Sequence, residues 1–214
     1  MRIAQPEGAR GSLKWIQRCI AARPDLLQPA ALAPITWLSP LAEDDFAEYR
    51  DGAFLDRLGL DALKPGLARF WPARGPQWDA LGRAGSACIL LEAKAHVREF
   101  LSPPTAARGT SRSTIESALR QVRDHLGVSA ATDWSETFFQ VTNRLAHLWW
   151  LQTQGVEAHL VFASFLGDAE MGGPDHPETW QAAFRAAEYA LGLKARHALA
   201  PFVHHVWPDV RLLS

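Results

Sequence analysis

The run Cys88-Ile89-Leu90-Leu91-Glu92-Ala93-Lys94-Ala95-His96-Val97 constrains the fold more than any other stretch of this 214-residue chain. It alternates. Ile89, Leu91, Ala93, Ala95 and Val97 fall on one side, and Cys88, Leu90, Glu92, Lys94 and His96 on the other. A period of two predicts a β-strand with one face in a core. Residues 77–83 read as its partner strand, joined to it through Ala84-Gly85-Ser86-Ala87. Gly-Ser between two strand-like runs predicts a two-residue hairpin turn, since glycine supplies the positive φ that such turns require. With Gly85 and Ser86 as the loop, Ala84 pairs with Ala87. Counting outward sets Asp79 opposite Glu92 and Gln77 opposite Lys94.

Two carboxylates directly opposite on one face repel, at a cost in stability. A divalent cation between them removes that cost, and carboxylate oxygens suit a hard ion such as Mg²⁺ or Mn²⁺. Such an ion polarises a phosphoryl oxygen and lowers the pKa of bound water. Lys94 lies two residues beyond Glu92 and shares its face, where it can orient water or stabilise developing negative charge. Lysine is scarce: only Lys14, Lys64, Lys94 and Lys194 occur, and the remaining basic residues are arginines. A desolvated lysine can lose its proton and an arginine cannot. The competing reading is structural, because the polar side of any half-exposed hairpin carries Glu and Lys.

Asp79 followed by Glu92-Ala93-Lys94 resembles the signature of the PD-(D/E)XK nuclease superfamily, the restriction-endonuclease-like fold. The resemblance implies an α-β-β-β-α-β core, with Asp79 and Glu92 as metal-binding carboxylates, Lys94 as the catalytic lysine and the Ala93 carbonyl in the metal shell. It also implies a glutamate from a preceding helix. Glu48 fills that place and Asp51 is its rival. Trp78, not proline, precedes Asp79, although Pro76 is close. The implied activity is Mg²⁺- or Mn²⁺-dependent hydrolysis of DNA or RNA. The alternative is a non-catalytic module of the same fold that holds nucleic acid or protein.

The rest of the chain is read around that hairpin. Ser12 caps a short helix with Leu13, Ile16, Cys19 and Ile20 as its apolar stripe. Residues 24–38 are Pro-rich and irregular, so 1–38 forms an N-terminal helix and extension packed on a domain spanning 39–214. Ser39-Pro40, followed by Glu43, Asp44 and Asp45, opens a helix that carries Glu48. Residues 67–73 form a first core strand. Residues 102–112 are a loop whose Arg108 and Arg112 can touch backbone phosphate. Ser113 to Glu116 is a capping box for a helix ended by Gly127. Asp133 and Glu136 start another helix, closed by Gly155, that offers Gln140 and Arg144 to the site. Residues 156–165 form a buried strand, 167–177 a solvated loop, 177–191 a helix and 201–206 a last strand. His96 is the histidine nearest the proposed site, and His204 and His205 point to opposite faces.

The expected architecture is α/β, with a central mixed sheet of four or five strands and helices on both faces. A hydrophobic content of 48% and nine tryptophans provide for a sizeable core. A formal net charge of −1 does not favour indiscriminate nucleic-acid binding, so a nuclease here needs a local basic surface, a specificity partner or a homodimer. Cys19 and Cys88 make neither a disulfide framework nor a zinc pattern, which suits a reducing cytoplasm. No signal peptide is read at the N-terminus and no apolar run reaches membrane-spanning length.

Overall fold

The β-hairpin forms with the turn as read, but its first strand starts at Ala80 and not at 77, and its second ends at Lys94, short of Val97. In a computed structural model describing residues 1–129 and 132–213, β4 (Ala80–Ala84) and β5 (Ala87–Lys94) pair antiparallel, with Ala84 opposite Ala87 and Ala80 opposite Leu91. Gly85 takes φ 61°, the left-handed conformation that the turn needs. Three further strands complete the central sheet: β2 (Ile35–Ser39), β6 (Ala158–Ser164) and β7 (Val203–Val206), in the order β2-β4-β5-β6-β7. β2, β4 and β5 are antiparallel neighbours; β5, β6 and β7 run parallel. The protein is therefore α/β with a five-stranded mixed sheet. A separate two-stranded sheet joins β1 (Arg2–Ile3) to β3 (Glu48–Tyr49).

Both faces of β5 are buried, where the alternation predicted one. Ile89, Leu91, Ala93 and Ala95 pack with Trp15, Ile16, Cys19 and Ile20 of α1 (Gly11–Ala22). Cys88 and Leu90 face the larger core with α2 (Gly52–Arg57), α3 (Lys64–Phe70), α5 (Gly109–Leu126), α6 (Phe139–Thr153) and α7 (Pro177–Ala190). A parallel neighbour such as β6 is reached only by a crossover, here α4 (Val97–Phe100), α5 and α6, and that crossover covers the second face.

Several local expectations fail, each for a tertiary reason. Ser39-Pro40 opens no α-helix; only one 3₁₀ turn, Ala42–Asp44, follows it, and Glu48 lies beyond that turn in β3. Ser39 ends β2, its Oγ accepts from Leu81 N at 3.2 Å, and its peptide bond to Pro40 is cis. Asp45 and Phe46 adopt φ 50° and 48°, which no helix tolerates. Asp44, expected near a helix dipole, is instead ion-paired to Arg2 at 2.8 Å. Residues 67–73 are not a strand: α3, with Pro65 in its first turn, covers 67–70 and ends at Phe70, and 71–73 are irregular. The irregular stretch 24–38 contains β2, after a loop organised by Gln28, whose amide donates to the carbonyls of Pro29 and Leu32. The boundary between 38 and 39 falls inside β2, so the N-terminal segment supplies a helix and a strand of the sheet layer itself.

The caps also differ. α1 begins at Gly11 and Ser12 does not cap it. α5 begins four residues before Ser113, which lies within the helix, and Gly127 ends it at φ 62°. Asp133 binds Ser135 N at 2.8 Å in a turn, and α6 starts only at Phe139. The expected loop 167–177 is not wholly solvated, since Asp168 is buried and accepts from Trp15 Nε1 at 2.6 Å. The strands and helix read at 156–165, 177–191 and 201–206 are present as β6, α7 and β7. Among the described residues no helix is long and apolar enough to cross a membrane.

Candidate functional site

Glu92 is the centre of the site. It is 1% exposed near the end of β5 and would be costly there without partners. It has two. Lys94, two residues along the same face, donates to Oε1. Arg144 of α6 donates through Nε to Oε2 at 2.6 Å. The Arg144 guanidinium also binds the Gln77 carbonyl at 2.8 Å and the Asn143 side chain at 2.9 Å, and lies 4.8 Å over the Trp78 ring. Burial pushes the Glu92 carboxyl up, but Arg144 and Lys94 outweigh it and hold the group below the ordinary range.

Asp79 lies one residue before β4, and its Oδ2 accepts from the Ala93 amide at 2.7 Å. The paired register ends at Ala80 opposite Leu91, so Asp79 is not itself a ladder partner of Glu92, but it lies close enough for the two charges to oppose each other. Gln77 is not opposite Lys94. At Trp78 the chain leaves β5 and bridges to Tyr49 of β3, Trp78 N donating to Tyr49 O at 3.0 Å.

That bridge delivers Glu48 to the site, from a strand and not from the helix expected for it. Glu48 is 5% exposed and accepts from the side chains of Gln77 and, at 3.3 Å, Gln5. Burial first, and then the charge of Glu92, raise its carboxyl to about 7. Asp79 is raised too, by burial and by Glu92 and Glu48. Three carboxyls thus oppose one another's ionisation in one place.

The remaining candidates divide. Arg144 joins the centre of the site. Gln140 lines the same groove, its backbone N–H donating to Ser102 Oγ at 2.9 Å. Asp51 does not join: its Oδ1 accepts from Gly75 N at 2.9 Å and ties two loops together. His96 does not join either. β5 ends at Lys94, Glu99 captures the Ala95 amide at 2.8 Å, and His96 Nε2 sits 3.4 Å from Glu99. Arg112 is engaged by Glu116 and Glu136 and is not available for phosphate, whereas Arg108 is exposed. The sequence reading missed Gln77, which holds Glu48, and Ser164. Ser164 is level with Lys94 on β6, and its buried hydroxyl has no hydrogen-bond partner among the described residues. Neither carries a local signal, because each is placed by strand register and by a bridge between distant segments.

The donor set is all oxygen: Asp79, Glu92, Glu48 and the Ala93 carbonyl. That chemistry fits Mg²⁺ or Mn²⁺. Mutual repulsion of the three carboxyls is what a divalent cation would relieve. As they stand, both Glu92 oxygens face cationic side chains, and Lys94 Nζ also donates to the Ala93 carbonyl at 3.1 Å. Among the described residues no three His, Cys, Asp or Glu are arranged to hold a metal ion. Binding an ion at Glu92 therefore requires the carboxylate to turn from at least one of its two partners.

Comparison with protein-family models, with curated proteins and with solved structures found no match to this chain.

Proposed function

We propose that this protein is a Mg²⁺- or Mn²⁺-dependent nuclease of the PD-(D/E)XK kind, with the restriction-endonuclease-like fold. The observation that carries the reading is the convergence of Asp79, Glu92 and Lys94 with Glu48 at the end of one hairpin, beneath a groove. The element order supports it. With β3, α2 and α3 taken as an insertion, α1, β2, β4, β5, α5–α6 and β6 run α-β-β-β-α-β.

Asp79, Glu92 and the Ala93 carbonyl would hold the ion, and Glu48 would support it. The bound ion supplies Lewis-acid polarisation of the phosphoryl oxygen and a more acidic water. In hydrolysis a water oxygen bonds to phosphorus, the bridging P–O bond breaks, and the leaving oxygen takes up a proton. Lys94 orients that water or stabilises charge on the phosphoryl oxygens. Arg144 keeps Glu92 ionised and oriented. The test is cleavage of single- and double-stranded DNA and RNA with Mg²⁺ or Mn²⁺, by wild type and by Lys94→Ala and Asp79→Ala. Cleavage by wild type and its loss, at least a hundredfold, in both variants is expected. Equal activity in all three sinks the reading.

One observation favours a second reading, a non-catalytic binding module. Glu92 is already neutralised by two cations, as in a purely structural buried network. Thermal melting with Mn²⁺ separates the two, because an ion that binds the native state raises the melting temperature. No rise favours the module.

A further inference from the structure

The groove above Asp79 continues past the acidic cluster. One cavity of about 400 Å³ lies over Glu48, Asp79 and Arg144. A second of about 400 Å³ adjoins it, and the two share Thr105, Ala106, Phe139 and Asn143 as walls. The far cavity is lined by Arg74 and by Arg108, which directly precedes α5. Both arginines are exposed. Neither side chain makes a hydrogen bond or ion pair among the described residues, in contrast to that of Arg112 on the next turn.

An aromatic side chain stands where the two cavities meet. Phe139 is half-buried, with its ring stacked on Trp71 at 6.4 Å and an interplanar angle of 20°. Asn143 beside it is buried, and its Oδ1 is taken by Arg144. Carboxyls at one end, an aromatic surface at the junction and two uncommitted guanidinium groups at the other end combine the two elements of single-strand recognition: stacking and backbone charge. In a duplex the faces of the bases are covered by their neighbours, so a single aromatic floor has nothing to stack on. An unpaired base offers its face.

We infer that the groove binds single-stranded nucleic acid, with an unpaired base against Phe139 and the phosphates beyond it on Arg74 and Arg108. The inference rests on the nuclease reading only for what happens at the Asp79 end. A chain of net charge −1 has no general attraction for duplex backbone, and the local pair of arginines supplies what the whole surface lacks.

The test is fluorescence anisotropy of the full chain in EDTA, where no metal-dependent cleavage occurs. The probes are labelled single strands of about 12 nucleotides, a length within the site sizes of such grooves, as DNA and as RNA, beside a blunt duplex of the same sequence. At least one single strand is expected to bind about tenfold tighter than the duplex, and the DNA and RNA arms report which sugar the groove accepts. Arg74→Gln and Arg108→Gln should each weaken single-strand binding several-fold and flatten its salt dependence by about 0.7 in log–log slope. Phe139→Leu should weaken it roughly tenfold. Duplex binding as tight as single-strand binding overturns the inference. So does unchanged single-strand affinity in both arginine variants, whose exposed side chains put the fold at no risk. Arginine-dependent strand binding without cleavage sinks the nuclease reading alone. Cleavage with arginine-insensitive binding sinks this inference alone.

Discussion

The two faces of β5 are equally buried and differ in kind. Toward α1 it presents Ile89, Leu91 and Ala93, an apolar face against Trp15, Ile16 and Ile20. Toward α6 it presents Cys88 and Leu90 and then, at its far end, Glu92 and Lys94. On the first face burial stabilises directly, at roughly 25 cal/mol per Å² of apolar surface. On the second, each buried charge costs stability unless it is matched, and the match is with Arg144 on a helix fifty-two residues away. The first face holds the strand in the sheet. The second pays for a site that the fold alone does not need.

The sharpest test of that contrast is Arg144→Ala beside Leu91→Ala. Removing Arg144 leaves Glu92 Oε2 buried and unpaired, with Lys94 as its one remaining cationic partner, so Arg144→Ala should destabilise by about 3 kcal/mol in urea unfolding. Leu91→Ala, a cavity on the apolar face, should cost about 2–5 kcal/mol. Cleavage per folded molecule should survive in Leu91→Ala and fall in Arg144→Ala. If Arg144→Ala costs under about 1 kcal/mol, Glu92 is not the charge-critical group described here.

A second test uses a group whose ionisation the fold opposes. The Glu48 carboxyl is raised to about 7, so below its ordinary range it is neutral in both the folded and unfolded states and costs nothing. As pH rises from the ordinary carboxyl range to about 7 the unfolded state ionises first, and stability is lost across that window. Glu48→Gln should therefore be more stable than wild type at pH 8 without metal, by about 3 kcal/mol, with the gain gone near pH 4. Mn²⁺ should raise the melting temperature of wild type more than that of the variant. A variant no more stable at pH 8 than at pH 4, relative to wild type, would show that Glu48 ionises freely.

The smallest effect concerns the apolar surroundings of the site. His147 sits among Phe54, Phe70, Trp71 and Trp78, donates Nδ1–H to the Asn143 carbonyl in its neutral form, and is pushed by burial to about 3. The unfolded chain takes up this proton near pH 6.5 and the folded one does not, so the folded state loses ground as pH falls below that value. Relative to His147→Phe, wild type should lose about 1 kcal/mol between pH 7 and 5.5. A pH-independent difference would mean that the imidazole is protonated in place.

The parts of the fold legible from the chain are those that local pattern specifies. The Gly85-Ser86 turn fixes register because the side-chain period is two, and it sets Ala84 opposite Ala87 and, counting outward, Ala80 opposite Leu91. β6 and α7 were legible as a continuous apolar run and a clean helical period. β2 was not, because Pro34 and Pro40 flank a stretch too short and mixed to show alternation, and its pairing with β4 decides its state. Arg144 was legible only as one of several polar residues on a helix. Glu48 reached the site by a route that the Ser39-Pro40 signal misrepresented.

Local alternation and one glycine turn determined by themselves the register of the hairpin and that Glu92 and Lys94 share a face. Tertiary structure alone decided what that face meets. The crossover through α6 sets Arg144 on Glu92, and the Tyr49–Trp78 bridge brings Glu48 to Asp79. Register is a short-range property, carried by neighbours along the chain. Charge compensation is not: it depends on which distant segments the packing of two cores presses together, and no local pattern encodes that choice.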